Sequence, residues 1–368
     1  MIGSTGATGW HAMNSEPQHD PLRILVTRMK FIGDIVLTTP VLRSLNDTYP
    51  RAEIVYLGEK EAVSLLDHHP CVHGIIPFDF SRPAWREQAR VIRELRRRNF
   101  DIVIDLFGNP RSAIICFASG APTRVGPARR GRGRLYTHQV RDDGVPKSAI
   151  EFHHQSLRVL GIKPTSLRTE LFVTPEERQQ ARTRLAQSGL AIQEGDASHP
   201  LIGLHIGATW PAKQWPTERF IALAGILAEE LGARIIVTSG PGDSGAADAA
   251  RRGLPSAAAV MPVLPLRSLA AVMSLCNAFV SNDAGPMHIS AALGVPTIGL
   301  FGPGEENVWF PYARTEGHVP LRKDVPCHPC HLDFCNRTGE GFMECMHLLT
   351  PHDVLEAVRF ALSVPHRR

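Results

Sequence analysis

The stretch SNDAGPMHISAALGVPTIGLFG, residues 281–302, decides the fold. A short apolar run at 278–281 leads into it, a polar turn follows, and Gly285 and Pro286 then open a helix. Proline suits the first helical turn, where its missing N–H has no intrahelical partner to lose. The next run, 297–300, is again short and apolar. Strand, turn, helix and strand in this order form a crossover unit, which joins neighbouring strands of a parallel sheet.

The same signal recurs outward from this stretch. Runs at 24–27, 53–57, 101–106, 201–205 and 234–238 are nearly all apolar and rich in β-branched residues, and segments with helical spacing separate them. Strands buried on both faces read this way, so the class is α/β with doubly wound parallel sheets. The alternation occurs twice, once before residue 160 and again from residue 201, and 368 residues exceed what one core usually serves. Between the two halves lies TPEERQQARTRLAQ (174–187), where Thr174, Pro175 and Glu177 fit the N-cap, first-turn proline and capping-box positions, and then a GDASHP loop (195–200). The expected organisation is a disordered tail over 1–20, a first domain over 21–165, a second over 166–350 and a terminal helix within 351–368.

Composition narrows the function classes. With 43% hydrophobic and 21% charged residues the chain is an ordinary globular protein. No apolar run is long enough to cross a bilayer, and the first twenty residues lack the basic start and apolar run of a secretory signal. Seven cysteines without an export signal point to reduced thiols and a cytoplasmic protein. Net charge is +4, divided as +6 up to residue 160 and −2 beyond it, which suggests an anionic partner for the front half. Nucleic acid is not expected, because no recognisable module or interleaved aromatics accompany the charge.

Ligands of open α/β sheets bind beyond the carboxyl ends of the strands, so the loops after each strand carry the candidates. In TRMKFIGDIVLTTPVLRSL (27–45), Gly33 makes a tight turn and Asp34 starts a helix with Val36, Leu37, Val41, Leu42 and Leu45 on its apolar face. Asp34 is either a helix cap or a general base that accepts the proton of an attacking hydroxyl. In HIGATWPAKQWPTERF (205–220), Thr209 and Lys213 suit a diphosphate, with a helix expected near Pro216. In TSGPGDSGAADAA (238–250), Gly240, Gly242 and Gly245 spell a dinucleotide fingerprint, but no acidic residue follows at the distance a ribose needs. That loop still suits a nucleotide, with Gly240 against it and Asp243 available to a ribose or base. In the opening stretch, the N–H groups at Ala284 and Gly285 offer an anion site, His288 adds a donor or packs, and Asp283 holds sugar hydroxyls or fixes the loop.

Two further clusters stand out. Cys327, Cys330, Cys335 and Cys345 have the spacing C-x2-C-x4-C-x9-C with histidines between them. Such a set suits a structural zinc, although one C-x-x-C is half of the paired pattern, and free thiols are the favoured reading with no metal assigned. Arg124, Arg129, Arg130, Arg132, Arg134 and Arg141 crowd a glycine-containing loop placed to meet phosphates, after a helix REQARVIRELRRRN whose apolar stripe is expected at Trp85, Ala89, Ile92 and Leu95.

Three motifs in order, RMKFIGDIVLTTPVLRSL (28–45), GLHIGATWPAKQWPTERF (203–220) and SNDAGPMHISAALGVPTIGLFGP (281–303), resemble glycosyltransferase family 9, the lipopolysaccharide heptosyltransferases. The resemblance covers residues 22–358. It implies a GT-B fold, two Rossmann-like domains facing a cleft, and inverting, metal-independent transfer of heptose from ADP-heptose to a lipid A-Kdo type core, with no cofactor. It implies Asp34 as general base, Lys213 and Thr209 on the donor phosphates, and Asp283, Gly285 and His288 on the heptose and diphosphate, with Ala284, Gly240 and Asp243 beside them. Arg28 falls at a basic position associated with acceptor phosphates, and Lys30, Arg130 and Arg132 are assigned to the same phosphorylated glycolipid. The terminal helix VLEAVRFALSV (354–364) is expected to cross back to the first domain, and the protein to work in the cytoplasm or at the inner membrane surface. Another nucleotide-sugar enzyme and a non-catalytic glycolipid- or nucleotide-binding protein are the competing readings.

Overall fold

The computed structural model describes residues 19–190 and 199–365. The tail expected over 1–20 lies outside the described residues up to residue 18, as does most of the GDASHP loop. The chain divides into two compact units, one ending at Phe172 and the other starting at Val173.

In the first unit, β1 (Arg23–Thr27), β2 (Glu53–Glu59), β3 (Gly74–Phe78), β4 (Ile102–Asp105), β5 (Thr123–Pro127) and β6 (His138–Val140) form a parallel sheet in the order β3-β2-β1-β4-β5-β6. The register pairs Ile24 of β1 with Ile54 on one side and Ile102 on the other. All three are fully buried, which is why the central strands read as unbroken apolar runs. The sheet order reverses between β1 and β4, and in such folds the loops after the strands at this point form the ligand end.

In the second unit, β7 (Leu201–His205), β8 (Arg234–Thr238), β9 (Ala258–Val260), β10 (Ala278–Asn282), β11 (Thr297–Leu300) and β12 (Val319–Leu321) form a second parallel sheet, β12-β11-β10-β7-β8-β9. The helix Gly285–Ala292 connects β10 to β11, as the opening stretch predicts.

Two expectations are corrected. The helix Ala84–Arg98 buries Glu87, Val91 and Leu95, while Trp85 is 70% exposed and Ala89 is exposed. Buried Glu87 accepts hydrogen bonds from Arg90 and from the Asp79 N–H, so a carboxylate occupies a position that an apolar stripe would assign to carbon. The arginine loop is not free of the sheet. Arg124 lies on β5, and its guanidinium donates to the carbonyls of Ala121 and Leu135. The terminal helix, Pro351–Ser363, packs on the helix Thr217–Leu231 and on β10, β11 and β12. Its Val354, Leu355, Val358 and Ala361 belong to the second unit's core, each large apolar side chain contributing about 1.5–3 kcal/mol.

The division at Phe172 lies seven residues past the boundary read from the sequence, because the intervening segment is bound to the first unit. Thr165 donates to Asp47 at 2.6 Å, the Glu170 N–H donates to Thr39 at 3.0 Å, and Arg43 donates to the Glu170 carboxylate at 2.9 Å. His69 adds to this clasp, its Nε2 3.6 Å from Glu170.

Candidate functional site

The candidate residues fall into two sets, one in each unit. In the first, β1 ends at Thr27 and the chain turns through Arg28 into the short helix Ile32–Val36. Asp34 is the third residue of that helix rather than its cap, and Gly33 is a buried helical residue rather than a turn. The Asp34 carboxylate reaches back to accept the Phe31 N–H at 3.2 Å and pairs with the Arg28 guanidinium at 2.5 Å. Arg28 also lies 4.5 Å over the Phe107 ring. The two charged side chains keep 13% and 11% of their exposure, so the pair is oriented yet still reachable. Lys30 points elsewhere, 4.2 Å over the Phe80 ring. Arg130 is exposed and Arg132 half-buried, both in the turn between β5 and β6.

In the second unit, Asn282 at the end of β10 holds the loop after β7. This residue, which the sequence reading missed, donates to the carbonyls of Ile206 and Gly207 and accepts the Trp215 N–H. It ties the loop carrying Thr209 and Lys213 to the end of β10. A polar residue ending an otherwise apolar strand was the available signal. Lys213 reaches Asp283, Nζ to Oδ2 2.6 Å, in an ion pair whose angles miss a hydrogen bond, with the two side chains 17% and 5% exposed. The ammonium also lies 4.5 Å over the Trp210 ring. Asp283 thus holds the lysine rather than standing free for hydroxyls.

Gly304 closes the other side: a Cβ there would fall 2.7 Å from the Asp283 carboxylate. The helix Gly285–Ala292 starts after Ala284, whose side chain makes no capping bond; Pro286 has no N–H and the Met287 N–H donates to the Ala284 carbonyl, which leaves the N–H groups of Ala284 and Gly285 for an anion. His288 is buried against Tyr312, Nδ1 to hydroxyl 2.7 Å, and burial with the nearby Lys213 charge pushes its pKa down to about 3. It packs as a neutral ring. Thr209 is exposed. Asp243 accepts the Gly240 N–H at 2.7 Å and occupies the space above Gly207, where a Cβ would meet it at 1.8 Å, so it joins two loops.

The four-cysteine segment braces this site. The Asp333 carbonyl accepts the Ala212 N–H, His328 Nε2 pairs with the Gly304 carbonyl at 2.9 Å, and the His331 N–H donates to Pro303. The thiols of Cys327, Cys330, Cys335 and Cys345 are free. Among the described residues, the one set of His, Cys, Asp or Glu ligand atoms gathered within 4.8 Å is instead His69, Cys71 and Glu170. There the Cys71 N–H donates to His69 Nδ1, which leaves the ring proton on the Nε2 facing Glu170, where a metal would have to displace it.

The sequence model of glycosyltransferase family 9 (heptosyltransferase) matches residues 88–337, more than half of the chain. The chain belongs to this family. Among curated relatives of this glycosyltransferase family 9 protein, lipopolysaccharide heptosyltransferase 1 of Pseudomonas aeruginosa is 27% identical over 328 residues, covering 85% of this chain and 87% of the relative. Lipopolysaccharide heptosyltransferase 2 of Escherichia coli is 25% identical over 361 residues, 93% of this chain and 99% of the relative. The crystal structure of a family 9 glycosyl transferase from Veillonella parvula superposes with a TM-score of 0.81 at 26% identity, covering 95% of this chain and 99% of that one. The fold is GT-B, with two Rossmann-like sheets in one chain. The family match begins at residue 88, past Asp34. Among the described residues, no helix is long and apolar enough to cross a membrane.

Proposed function

We propose that this family 9 glycosyltransferase moves heptose from ADP-heptose to a lipid A-Kdo type lipopolysaccharide core, with inversion at the anomeric carbon. The observation that carries the reading is the Lys213–Asp283 pair beside the uncapped start of the helix Gly285–Ala292. A fixed ammonium and the N–H groups of Ala284 and Gly285 at one sheet end suit a departing diphosphate, whose charge grows as the bond to the sugar breaks. The names of the relatives supply the sugar: all three are heptosyltransferases or members of that family.

In this mechanism the acceptor hydroxyl oxygen attacks the anomeric carbon as the bond from that carbon to the diphosphate oxygen breaks. The hydroxyl proton passes to the Asp34 carboxylate, and ADP leaves with the electron pair. Arg28 orients Asp34 through their 2.5 Å contact, a positioning role that replaces direct service to an acceptor phosphate. Lys213 and Thr209 are assigned to the diphosphate, with Gly285 and Ala284 supplying backbone N–H groups. Because these groups can offset the leaving-group charge, no metal is required, and turnover is expected to survive chelation by EDTA. Single displacement needs donor and acceptor held together as the bonds form and break. Work at the cytoplasmic surface of the inner membrane follows from a glycolipid acceptor.

Calorimetric titration tests the donor assignment. ADP-heptose is expected to bind the wild type, UDP-N-acetylglucosamine and NAD to bind poorly, and Lys213→Ala to lose ADP-heptose affinity by about tenfold or more, the scale of a lost charge-assisted contact. Preference for another nucleotide-sugar would retain the fold and remove the heptose assignment.

A further inference from the structure

We propose that the first unit docks on an anionic phospholipid surface through the outer face of two neighbouring helices, Ala84–Arg98 and Pro110–Ala118. The proposal rests on the acceptor being a glycolipid. The two helices pack together, and Arg96 of the first donates to the Ala118 carbonyl of the second at 2.8 Å. On the first helix, a spacing of seven lines up Arg86 with Arg93, and a spacing of eleven lines up Trp85 with Arg96. Both lines point away from the buried Glu87, Val91 and Leu95. On the second, Ile114 and Phe117 lie three residues apart and share a face. Trp85 is 70%, Phe117 54% and Ile114 47% exposed, and large apolar side chains standing out of packed helices mark a contact surface.

The charge around them is of one sign. Residues 106–141 hold seven arginines and no Asp or Glu. The first helix adds six arginines against two glutamates, and both glutamates are engaged within it: Glu87 pairs with Arg90, and Glu94 with Arg97 and Arg98. Arg86, Arg93 and Arg96 are exposed and have no acidic partner among the described residues. Arg86 lies 5.0 Å over the Trp85 ring and Arg124 5.6 Å over the Phe117 ring, so each exposed aromatic carries a cation on its face. The turn Gly133–Leu135, with Arg134 exposed, packs against the second helix and extends the positive surface.

This combination selects the partner. A guanidinium binds phosphate oxygens through paired N–H groups, and an exposed aromatic or aliphatic side chain reaches below the headgroups of a bilayer. A second copy of the same face would set arginine against arginine. A nucleic acid meets the charge and stacks on the rings, whereas Ile114 gives it no ring to stack on. Position fits a membrane-held acceptor. The helix Pro110–Ala118 starts three residues past Phe107, whose ring lies under the Arg28 guanidinium that holds Asp34. The start of this helix is thus close to the proposed base, and a bilayer along the helix brings the sugars of a lipid-anchored acceptor to that end.

The test is flotation of the full-length chain with vesicles of phosphatidylethanolamine and phosphatidylglycerol, beside vesicles of phosphatidylcholine alone. The wild type is expected to float with the anionic vesicles, to be released by raised salt, and to stay behind with the neutral ones. Arg86→Gln combined with Arg93→Gln should weaken binding about tenfold or more, at about fivefold per arginine. Ile114→Ser combined with Phe117→Ser should weaken it about tenfold. All four side chains are exposed, so ADP-heptose affinity and turnover of a deacylated acceptor should stay unchanged in both double variants. Transfer to an acceptor embedded in anionic vesicles should fall with binding. No flotation, equal binding to neutral and anionic vesicles, or undiminished binding in either double variant overturns the docking face. So does tighter binding of a single-stranded RNA that the arginine variant loses and the apolar variant keeps. A chain that floats with anionic vesicles yet releases no ADP from ADP-heptose keeps the docking face and removes the heptosyl transfer.

Discussion

Asp34 is held by a backbone N–H and a guanidinium, so replacing its oxygen by an amide tests chemistry apart from shape. Asp34→Asn is expected to lower kcat by about 10²–10⁴, the range for loss of a general base, with ADP-heptose affinity unchanged. A drop below tenfold in a kcat measurement would assign Asp34 to the turn alone. Lys213 and Asp283 respond differently, because Lys213→Ala leaves a carboxylate that is 5% exposed without its partner. Removing one member of such a pair destabilises by about 3 kcal/mol, to be read from urea unfolding. Adding Asp283→Ala should restore much of that stability without restoring donor binding. Recovery of both would mean that the lysine serves the fold only. Sequence showed which residue types stood in these loops, but not that Asp283, Asp243 and His288 bind protein groups before any ligand arrives. The engagements of His288 and Asp283 depend on side chains 24 and 70 positions away, Tyr312 and Lys213, which local reading does not reach.

The helices show where local chemistry is enough. Thr174 and Glu177 form the capping box that their spacing predicts, and Thr350 with Asp353 forms another. Thr174→Ala and Thr350→Ala should each cost about 1 kcal/mol in chemical unfolding. Trp85→Ala is expected to change stability by less than about 0.5 kcal/mol, whereas Glu87→Ala, two residues further on and buried, should cost roughly 2 kcal/mol by freeing Arg90 and the Asp79 N–H. The reverse order would restore the stripe read from the sequence. Strands follow the same logic. The central strands β1, β2, β4, β7, β8, β10 and β11 were legible because burial on both faces demands unbroken apolar runs. β3, β9 and β12 are edges, β6 is a three-residue edge, and β5 carries Arg124, Gly126 and Pro127, so each lacks that signature. Gly126 has its own reason: a Cβ there would lie 2.4 Å from the Tyr136 ring.

Across the whole molecule, both units bury neutral histidines. Burial pushes His69 and His205 down to about 4, and His153 and His288 down to about 3. The unfolded chain protonates these rings near pH 6.5 while the folded chain does not, so the unfolded state binds more protons between the two values. Stability is therefore fully present above about pH 6.5 and lost as pH falls toward 4, each ring contributing up to about 1.4 kcal/mol per pH unit. Denaturation midpoints measured from pH 7 to pH 4 should fall steadily, and His205→Gln should flatten the slope; a flat profile in the wild type would mean the rings find proton-accepting partners on acidification. The overall reading, a base in one unit and a diphosphate site in the other, is tested most directly by ADP release from ADP-heptose, with and without a deacylated lipid A-Kdo type acceptor. ADP release that requires the acceptor in the wild type, and is lost in Asp34→Asn while ADP-heptose still binds, is the result the mechanism predicts. Release at the same rate without acceptor, or undiminished in Asp34→Asn, would contradict it.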